Sequence, residues 1–317
     1  MNDLDRMRLV VFGSSIVSDW QNPIATSARP ILSELTRMGH DVLFLEERNN
    51  PWLVGLLKAR GMAPIRAFDA VYPEIQHRTY DLPRGIQRTV TFAQHVGTAD
   101  AILALPGTPK PVLEEINAFR SPSVVRAVHA DAGSCDAEIT LRSFGKTDCD
   151  AVFGPAVATR ASSSRGRTAV ALVAYDTTIG ILARESLSEL NSMLLDQTRE
   201  TIAGWNYAPE VNLPNWYEER QTVVVASDWR DRLSWARLLL PMASGCRVIA
   251  IGPGATTVSI PGLAAVDDVS QLSATVCEFF HDDTVSQIAE EFDASRHADN
   301  IIGVLRRIHD EKRRARR

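Results

Sequence analysis

The sequence predicts an α/β protein of two Rossmann-like domains, and three observations carry that expectation. Short β-branched apolar runs alternate with longer stretches in which apolar residues recur at helical spacing, the pattern of strands and helices in parallel-sheet units. The chain has 317 residues, which suits two domains of about 150 residues each better than one core. The stretch RLLLPMASGCRVIAIG, Arg237–Gly252, is half of an α/β unit by itself. Ala236–Ser244 is apolar at helical spacing, Gly245 stops it as a C′ glycine, and Arg247–Ile251 is a short β-branched strand. Gly252 and Gly254, around Pro253, break that strand where its carboxyl end would meet a ligand.

The elements follow in order. Arg8–Phe12 reads as a buried strand ending at Gly13, before the loop GSSIVSDWQNP. Ile24–Met38 carries Ile31, Leu32 and Leu35 on one face and reads as a helix closed by Gly39 and His40. Asp41–Leu45 is the second strand, closed by Glu46 and Glu47; Pro51–Arg60 is a helix and Tyr72–Pro83 an irregular, proline-flanked connection. Helices are expected over Arg84–Val96 and Pro111–Phe119, and strands over Ala101–Leu105 and Ser123–Val128. Ala137–Phe144 reads as helical and Ala151–Phe153 as the last strand of the first domain. The Ser- and Arg-rich ATRASSSRGR, Ala158–Arg167, marks the boundary, giving domains over 1–160 and 161–317. Beyond it, strands are expected over Thr168–Tyr175, Thr222–Ala226 and Ala264–Val266. Helices are expected over Ser186–Ala203, Val269–Phe280 and Val285–Ile308, with a basic, solvated end from Arg306 to Arg317.

Composition narrows the function. A net charge of -5, from 34 Lys and Arg against 39 Asp and Glu, argues against nucleic acid as a partner, because phosphate backbones need a basic surface. No run of about 18 apolar residues exists, so no transmembrane helix is expected, and Met7–Val11 is too short for a signal-peptide core. Cys135, Cys149, Cys246 and Cys277 are scattered without a CxxC pair, which reads as reduced cysteines in a cytoplasmic protein. The histidines stand singly, with no HxH or HExxH, so neither a metal nor a bound cofactor is expected. A GxSxG elbow and a P-loop are likewise missing. A dinucleotide site after the first strand fails on spacing, since no GxGxxG follows Gly13; Glu46, at the end of the second strand, is its one remaining support.

The residues of the central stretch carry a resemblance. PMASGCRVIA resembles the segment E-A-M-A-S-G-C-P-V-I-A of glycosyltransferases of the GT-B architecture, through Met242, Ala243, Ser244, Gly245, Cys246, Val248, Ile249 and Ala250, with Arg237 and Leu238 on the R-L that often precedes it. The opening is similar to that of a group resembling spore-maturation glycosyltransferases, with Phe12–Ser15 on F-G-S-S, a loop tryptophan at Trp20, and Gly39–Glu46 on G-H-[DE]-V-x-F-L-E. The resemblance implies two Rossmann-like domains about an interdomain cleft, with the donor on the second domain. It also implies metal-independent transfer of a sugar from a nucleotide-sugar donor to an acceptor that the sequence does not identify. Two positions depart: the family's glutamate, which typically holds the donor ribose, falls on Leu240, and its proline on Arg247. Leucine accepts no hydrogen bond, so the usual ribose clamp cannot be made there.

Each candidate site residue has a plain alternative. Gly252, Gly254, Ala255 and Thr256, in GPGATT, can bring backbone N–H groups close to a diphosphate, or form only a tight turn. Arg237 can offer a forked guanidinium to a phosphate oxygen, or a surface ion pair. Arg184 falls where the related enzymes place a basic residue near the donor phosphates. Tyr175, with Asp176, stands at a strand end that can touch a base or sugar, or simply turn the chain. In the first domain Asp19 and Trp20 lie in the loop after the first strand, where acceptors are met in this architecture. His129 with Asp131 is a candidate general base, an imidazole oriented by a carboxylate; a structural histidine is the alternative. A second class of function follows from Leu240 and Arg247: an inactive glycosyltransferase-like scaffold that works with a partner protein or a second copy of itself.

Overall fold

The computed structural model describes residues 6–17, 23–81, 83, 85–119, 121, 124–129, 137–140, 151–152, 168–188, 195–196, 217, 220–230, 234–260, 262–279 and 292–315. The chain divides into two compact units, Met1–Ala156 together with Ala294–Arg317, and Val157–Asp293. Each is a parallel sheet with helices, of the Rossmann type.

The first unit runs β1 (Arg8–Gly13), α1 (Pro23–Arg37), β2 (Asp41–Glu47), α2 (Pro51–Arg60), α3 (Ala63–Val71), β3 (Gln76–Tyr80), α4 (Ile86–Val96), β4 (Ala101–Ala104), α5 (Lys110–Ala118), β5 (Val125–His129), β6 (Ala137–Thr140) and β7 (Ala151–Val152). Its sheet has the order β3-β2-β1-β4-β5-β6-β7. Neighbours β2 and β4 flank β1 in parallel register, Val10 pairing with Leu43 on one side and Ile102 on the other. Strands covered on both faces need apolar residues at every position, which is why β1, β2 and β4 read as continuous runs. At the sheet edge β3 carries Gln76, His77, Arg78 and Thr79, so an apolar pattern does not betray it, and the expected irregular connection there is corrected to an edge strand. The expected helix at Ala137–Phe144 is corrected over 137–140, which form β6 beside β5, Val128 pairing with Glu138 and His129 with Ile139; Ile139 and Thr140 are β-branched and favour the strand.

Tyr80 closes β3 with its ring edge-on to Phe12, centroids 5.7 Å apart. Its hydroxyl is buried and has no hydrogen-bond partner among the described residues, and burial pushes its ionisation far above the usual tyrosine range. A buried donor without a partner costs about 1–3 kcal/mol. Tyr80→Phe is therefore expected to leave stability unchanged or raise it by about 1 kcal/mol in a urea titration; a loss of that size would reveal a hidden partner.

The second unit runs β8 (Thr168–Ala174), α6 (Thr177–Ser188), β9 (Leu195–Asp196), β10 (Arg220–Ala226), a 3-10 turn over Ser234–Leu238, α7 (Leu239–Ala243), β11 (Arg247–Ile251), a 3-10 turn over Ala255–Thr257, β12 (Leu263–Val266), a 3-10 turn over Val269–Gln271 and α8 (Leu272–Phe279). The parallel order is β12-β11-β10-β8-β9, with β10 between β8 and β11 and Val223, Val224, Val225 and Ala226 buried. The expected helix over Ser186–Ala203 is corrected: α6 starts at Thr177, where the Asp176 carboxylate accepts the Ile179 N–H at 2.9 Å as an N-cap, and Leu195–Asp196 is strand. Residues 197–203 lie outside the described ones. Pro241 has no N–H to give the carbonyl of Arg237, so the central segment divides into a 3-10 turn and the short α7. Gly245, at φ 73°, ends it: its N–H reaches Met242 O at 2.9 Å and the Cys246 N–H reaches Pro241 O at 3.0 Å, the paired bonds of a Schellman turn.

The closing helix, α9 (Ala294–Arg314), buries Ala298, Ile301, Ile302, Leu305 and Ile308 in the same apolar cluster as β1 and α1. The Lys312 ammonium donates to Val124 O at 2.9 Å. A helix that the linear order assigns to the second domain thus packs on the first unit. Among the described residues no helix is long and apolar enough to cross a membrane.

Candidate functional site

Parallel sheets present ligands at the carboxyl ends of their strands. In the second unit that edge is made by the residues just past β8, β10 and β11. Tyr175 and Ser227 are fixed by the sheet itself: the Tyr175 N–H donates to Ala226 O at 2.8 Å and the Ser227 N–H to Ile251 O at 3.1 Å. Gly252 continues β11 and donates to Val266 O at 3.1 Å. Trp229, buried, turns the next loop back by giving its indole N–H to Ile251 O at 3.0 Å. Arg237 reaches this edge from the 3-10 turn. Its guanidinium lies 4.6 Å above the Tyr175 ring, one Nη donates to Ser227 Oγ at 2.5 Å, and its buried Nε has no acceptor among the described residues. Behind Tyr175, the Tyr217 hydroxyl is held well above the usual range, by burial first and then by its contact with Tyr175.

Of the residues expected from sequence, Arg237, Tyr175 and Gly252 come together. Gly254, Ala255 and Thr256 form the adjoining turn, but their donors face an internal anion. Asp267, just past β12, accepts the Thr256 N–H at 3.1 Å and the Thr256 hydroxyl at 2.6 Å. These bonds, with further ones from the Ala255 and Gly254 amides, hold the Asp267 carboxyl below its usual range. Arg184 is exposed on α6, about 10 Å along the helix axis from its start. Leu240 packs with Tyr217, Trp229, Met242 and Cys246 in an apolar cluster. Ser227 and Asp267 are the residues that sequence reading misses; each directly follows a strand, which is the signal that could have found them. Asp228, next to Ser227, is held down to about 2 by the exposed Arg230 guanidinium, whose Nε lies 2.8 Å away.

The carboxyl edge of the first sheet is built around Ser14–Val17. Arg29, buried on α1, forks its Nε and Nη2 onto Ile16 O at 2.8 and 2.6 Å. Glu46, 2 % exposed, faces the other side of the same segment: it accepts from Ser15, Val17 and the Ile16 N–H, the last at 3.4 Å. Asn50 donates to Ser14 O and lies 3.5 Å from Glu46 Oε1. Burial pushes the Glu46 carboxyl up to about 7; the loop hydrogen bonds oppose the rise, and Arg29 opposes it least. This enclosure, facing the segment rather than an open edge, removes the ribose contact that Glu46 left open for a dinucleotide. His129 is the last residue of β5, at the carboxyl edge as expected. Asp131, Asp19 and Trp20 lie outside the described residues.

No model of a protein family matches this sequence, and no curated protein does. Solved structures do match in fold. The Staphylococcus aureus MnaA–UDP structure has a TM-score of 0.54 at 10% identity, covering 93% of this chain and 95% of that one. An α-glucosyltransferase bound to UDP and a 13-mer DNA has a TM-score of 0.53 at 9% identity, covering 95% and 94%. The UDP-GlcNAc 2-epimerase of Methanocaldococcus jannaschii has 0.52 at 8% identity, covering 95% and 100%. The chain has a GT-B-like fold. Identities this low establish architecture and leave the reaction to the site.

Proposed function

We propose that this chain is a glycosyltransferase that takes a sugar from a nucleoside-diphosphate donor held at the carboxyl edge of the second sheet, without requiring a metal ion. Arg237 carries the reading. Its guanidinium is fixed by Ser227 and the Tyr175 ring, its buried Nε has no acceptor among the described residues, and a phosphate oxygen is the acceptor whose geometry suits a guanidinium fork. Charge that builds on the leaving diphosphate would be stabilised by this pre-positioned cation. Gly252 stands at the same edge, where its missing side chain makes room for the Ser227 carbonyl, and Tyr175 offers a ring face to base or sugar. Gly254, Ala255 and Thr256 shape the turn, their donors being engaged by Asp267. Arg184 stays a peripheral candidate. His129 is the proposed base for the acceptor hydroxyl, with Asp131 as its candidate carboxylate partner, and Asp19 is a candidate acceptor-side residue. The finer likeness to the spore-maturation group rests on residues 12–15, 20 and 39–46 and names no acceptor.

The test is a thermal-shift titration against UDP, GDP, TDP, CDP and ADP, each with magnesium and with chelator. One nucleotide is expected to raise the melting temperature equally in both, since a ligand at about 100 times its Kd adds about 2.7 kcal/mol to the folded state. Arg237→Ala is expected to weaken that nucleotide by at least about tenfold, and Arg237→Lys to restore little, because the fork is lost. Five flat titrations to about millimolar ligand would defeat the reading and favour the inactive-scaffold alternative. Release of free nucleoside diphosphate with a glycosylated product separates transfer from epimerisation.

A further inference from the structure

Arg230 has no part in the donor chemistry above, yet the loop that carries it is fastened across the same edge. Trp229 donates its backbone N–H to Pro253 O at 2.9 Å and its indole N–H to Ile251 O at 3.0 Å. The next residue crosses Gly254: a β-carbon on that glycine would lie 3.3 Å from Arg230 Cγ and 3.4 Å from Arg230 N. Both glycines of the turn thus admit the loop after β10, Gly252 its Ser227 carbonyl and Gly254 the Arg230 stem. The guanidinium at the end of that stem grips a near neighbour. Its Nε donates to Asp228 Oδ1 at 2.8 Å and its Nη2 to Asp228 Oδ2 at 2.5 Å, a two-pronged hold on a planar anion. The two side chains are 72% and 41% exposed. Ion pairs so open to water add little to stability, so the fold loses little when Asp228 is exchanged for another anion. Asp228 directly follows Ser227, the residue that holds Arg237. Two guanidinium groups are therefore held by consecutive residues of one loop.

We propose that Arg230 is a second ligand for the donor diphosphate, parked on Asp228 while the site is empty and transferred to a phosphoryl group when the donor arrives. The proposal rests on the donor reading of Arg237 given above. Arg237 takes one phosphoryl group and Arg230 the other, and the released Asp228 carboxylate turns to water, where it is already largely hydrated. A carboxylate and a phosphate offer the fork the same pair of oxygens, so the exchange needs a change of rotamer and no change of backbone. Asp228 competes with the ligand for the guanidinium. The two residues therefore act on affinity with opposite sign, Arg230 raising it and Asp228 lowering it.

Titration of the full chain with inorganic pyrophosphate, followed by phosphorus NMR at one ionic strength, tests the transfer. Arg230→Ala is expected to weaken binding roughly tenfold, and Arg230→Lys nearly as much, because the charge stays and the fork is lost. Asp228→Asn is expected to tighten it roughly threefold by removing the competitor. All three changes fall on exposed side chains, so each variant should melt within about 2 °C of the parent. In the unaltered protein the Arg230 Nε–H resonance should move on adding pyrophosphate, a readout that needs no variant. Binding that depends on Arg237 but stays within about twofold in Arg230→Ala overturns the second ligand and leaves the donor reading standing. An Arg230→Lys that binds as the parent does also overturns it, since charge alone would then account for Arg230, and so does an Asp228→Asn that binds more weakly. Pyrophosphate that fails to bind the parent at all overturns the donor reading and this proposal with it.

Discussion

Gly252→Ala is expected to lower the stability of the second unit by about 3 kcal/mol or more, a fall in melting temperature of about 10 °C. Two causes add. Gly252 has φ 127°, a conformation that side-chain-bearing residues rarely adopt and that costs about 1–3 kcal/mol when forced. A β-carbon there would lie 2.2 Å from Ser227 O and 3.0 Å from Ile179 Cδ1. The isoleucine tip can swing away, but the Ser227 carbonyl cannot move far. The Ser227 N–H is bonded to Ile251 O and its hydroxyl to Arg237, so relief of the clash pulls the ends of β10 and β11 apart. The variant should for that reason also lose nucleotide stabilisation more completely than its lowered melting point explains. Circular dichroism melts of parent and variant decide the first part. A variant melting within about 2 °C of the parent would mean that the glycine is held there by neither strain nor crowding.

That same geometry shows how far sequence reasoning reaches. The strand from Arg247, the stop at Gly245 and the break at Gly252 are legible because their causes are local: β-branched residues in a fully buried strand and a left-handed helix terminus each leave a mark in one short window. Edge strand β3 leaves none, since only a strand covered on both faces must be apolar throughout. Helix α6 is displaced for a related reason. Its cap, Asp176, reads equally well as a turn residue, and Gly180 inside the helix blurs its period. Of the candidate site, only the residues at element ends are legible in the sequence. Arg237, Tyr175 and Gly252 stand at element ends, where the fold's logic points. That Asp267 engages the turn donors could not be read from a window, because Asp267 and Thr256 are separated by a loop and a whole strand and meet only when β12 docks beside β11. Association of α9 with the first unit is equally non-local, being decided by which apolar face its own stripe fits.

Glu46→Gln is expected to remove a pH-dependent cost of about 3 kcal/mol from the parent protein. The Glu46 carboxyl is raised from 4.5 to about 7 in the folded state, burial being the largest cause. A raised acid binds its proton more tightly folded than unfolded, so its favourable contribution is complete below about 4.5 and is lost as pH rises to about 7. Above about 7 the carboxylate is ionised in both states and the folded state bears the full desolvation. The upward shift of about 2.5 units corresponds, at 1.36 kcal/mol each, to about 3 kcal/mol. Glutamine keeps one acceptor oxygen for the loop but adds an NH2 that needs a partner, a roughly constant offset of about 1–3 kcal/mol. The informative quantity is therefore the difference in unfolding free energy, variant minus parent, in urea at about pH 5 and again at about pH 8. That difference should grow by about 2.5 kcal/mol in favour of glutamine at the higher pH, whatever its sign at the lower, since part of the shift is already expressed at about pH 5. Growth below about 1 kcal/mol would mean that Arg29 and the loop amides of Ser14–Val17 hold the carboxylate ionised at little cost, and that burial does not govern this edge of the sheet.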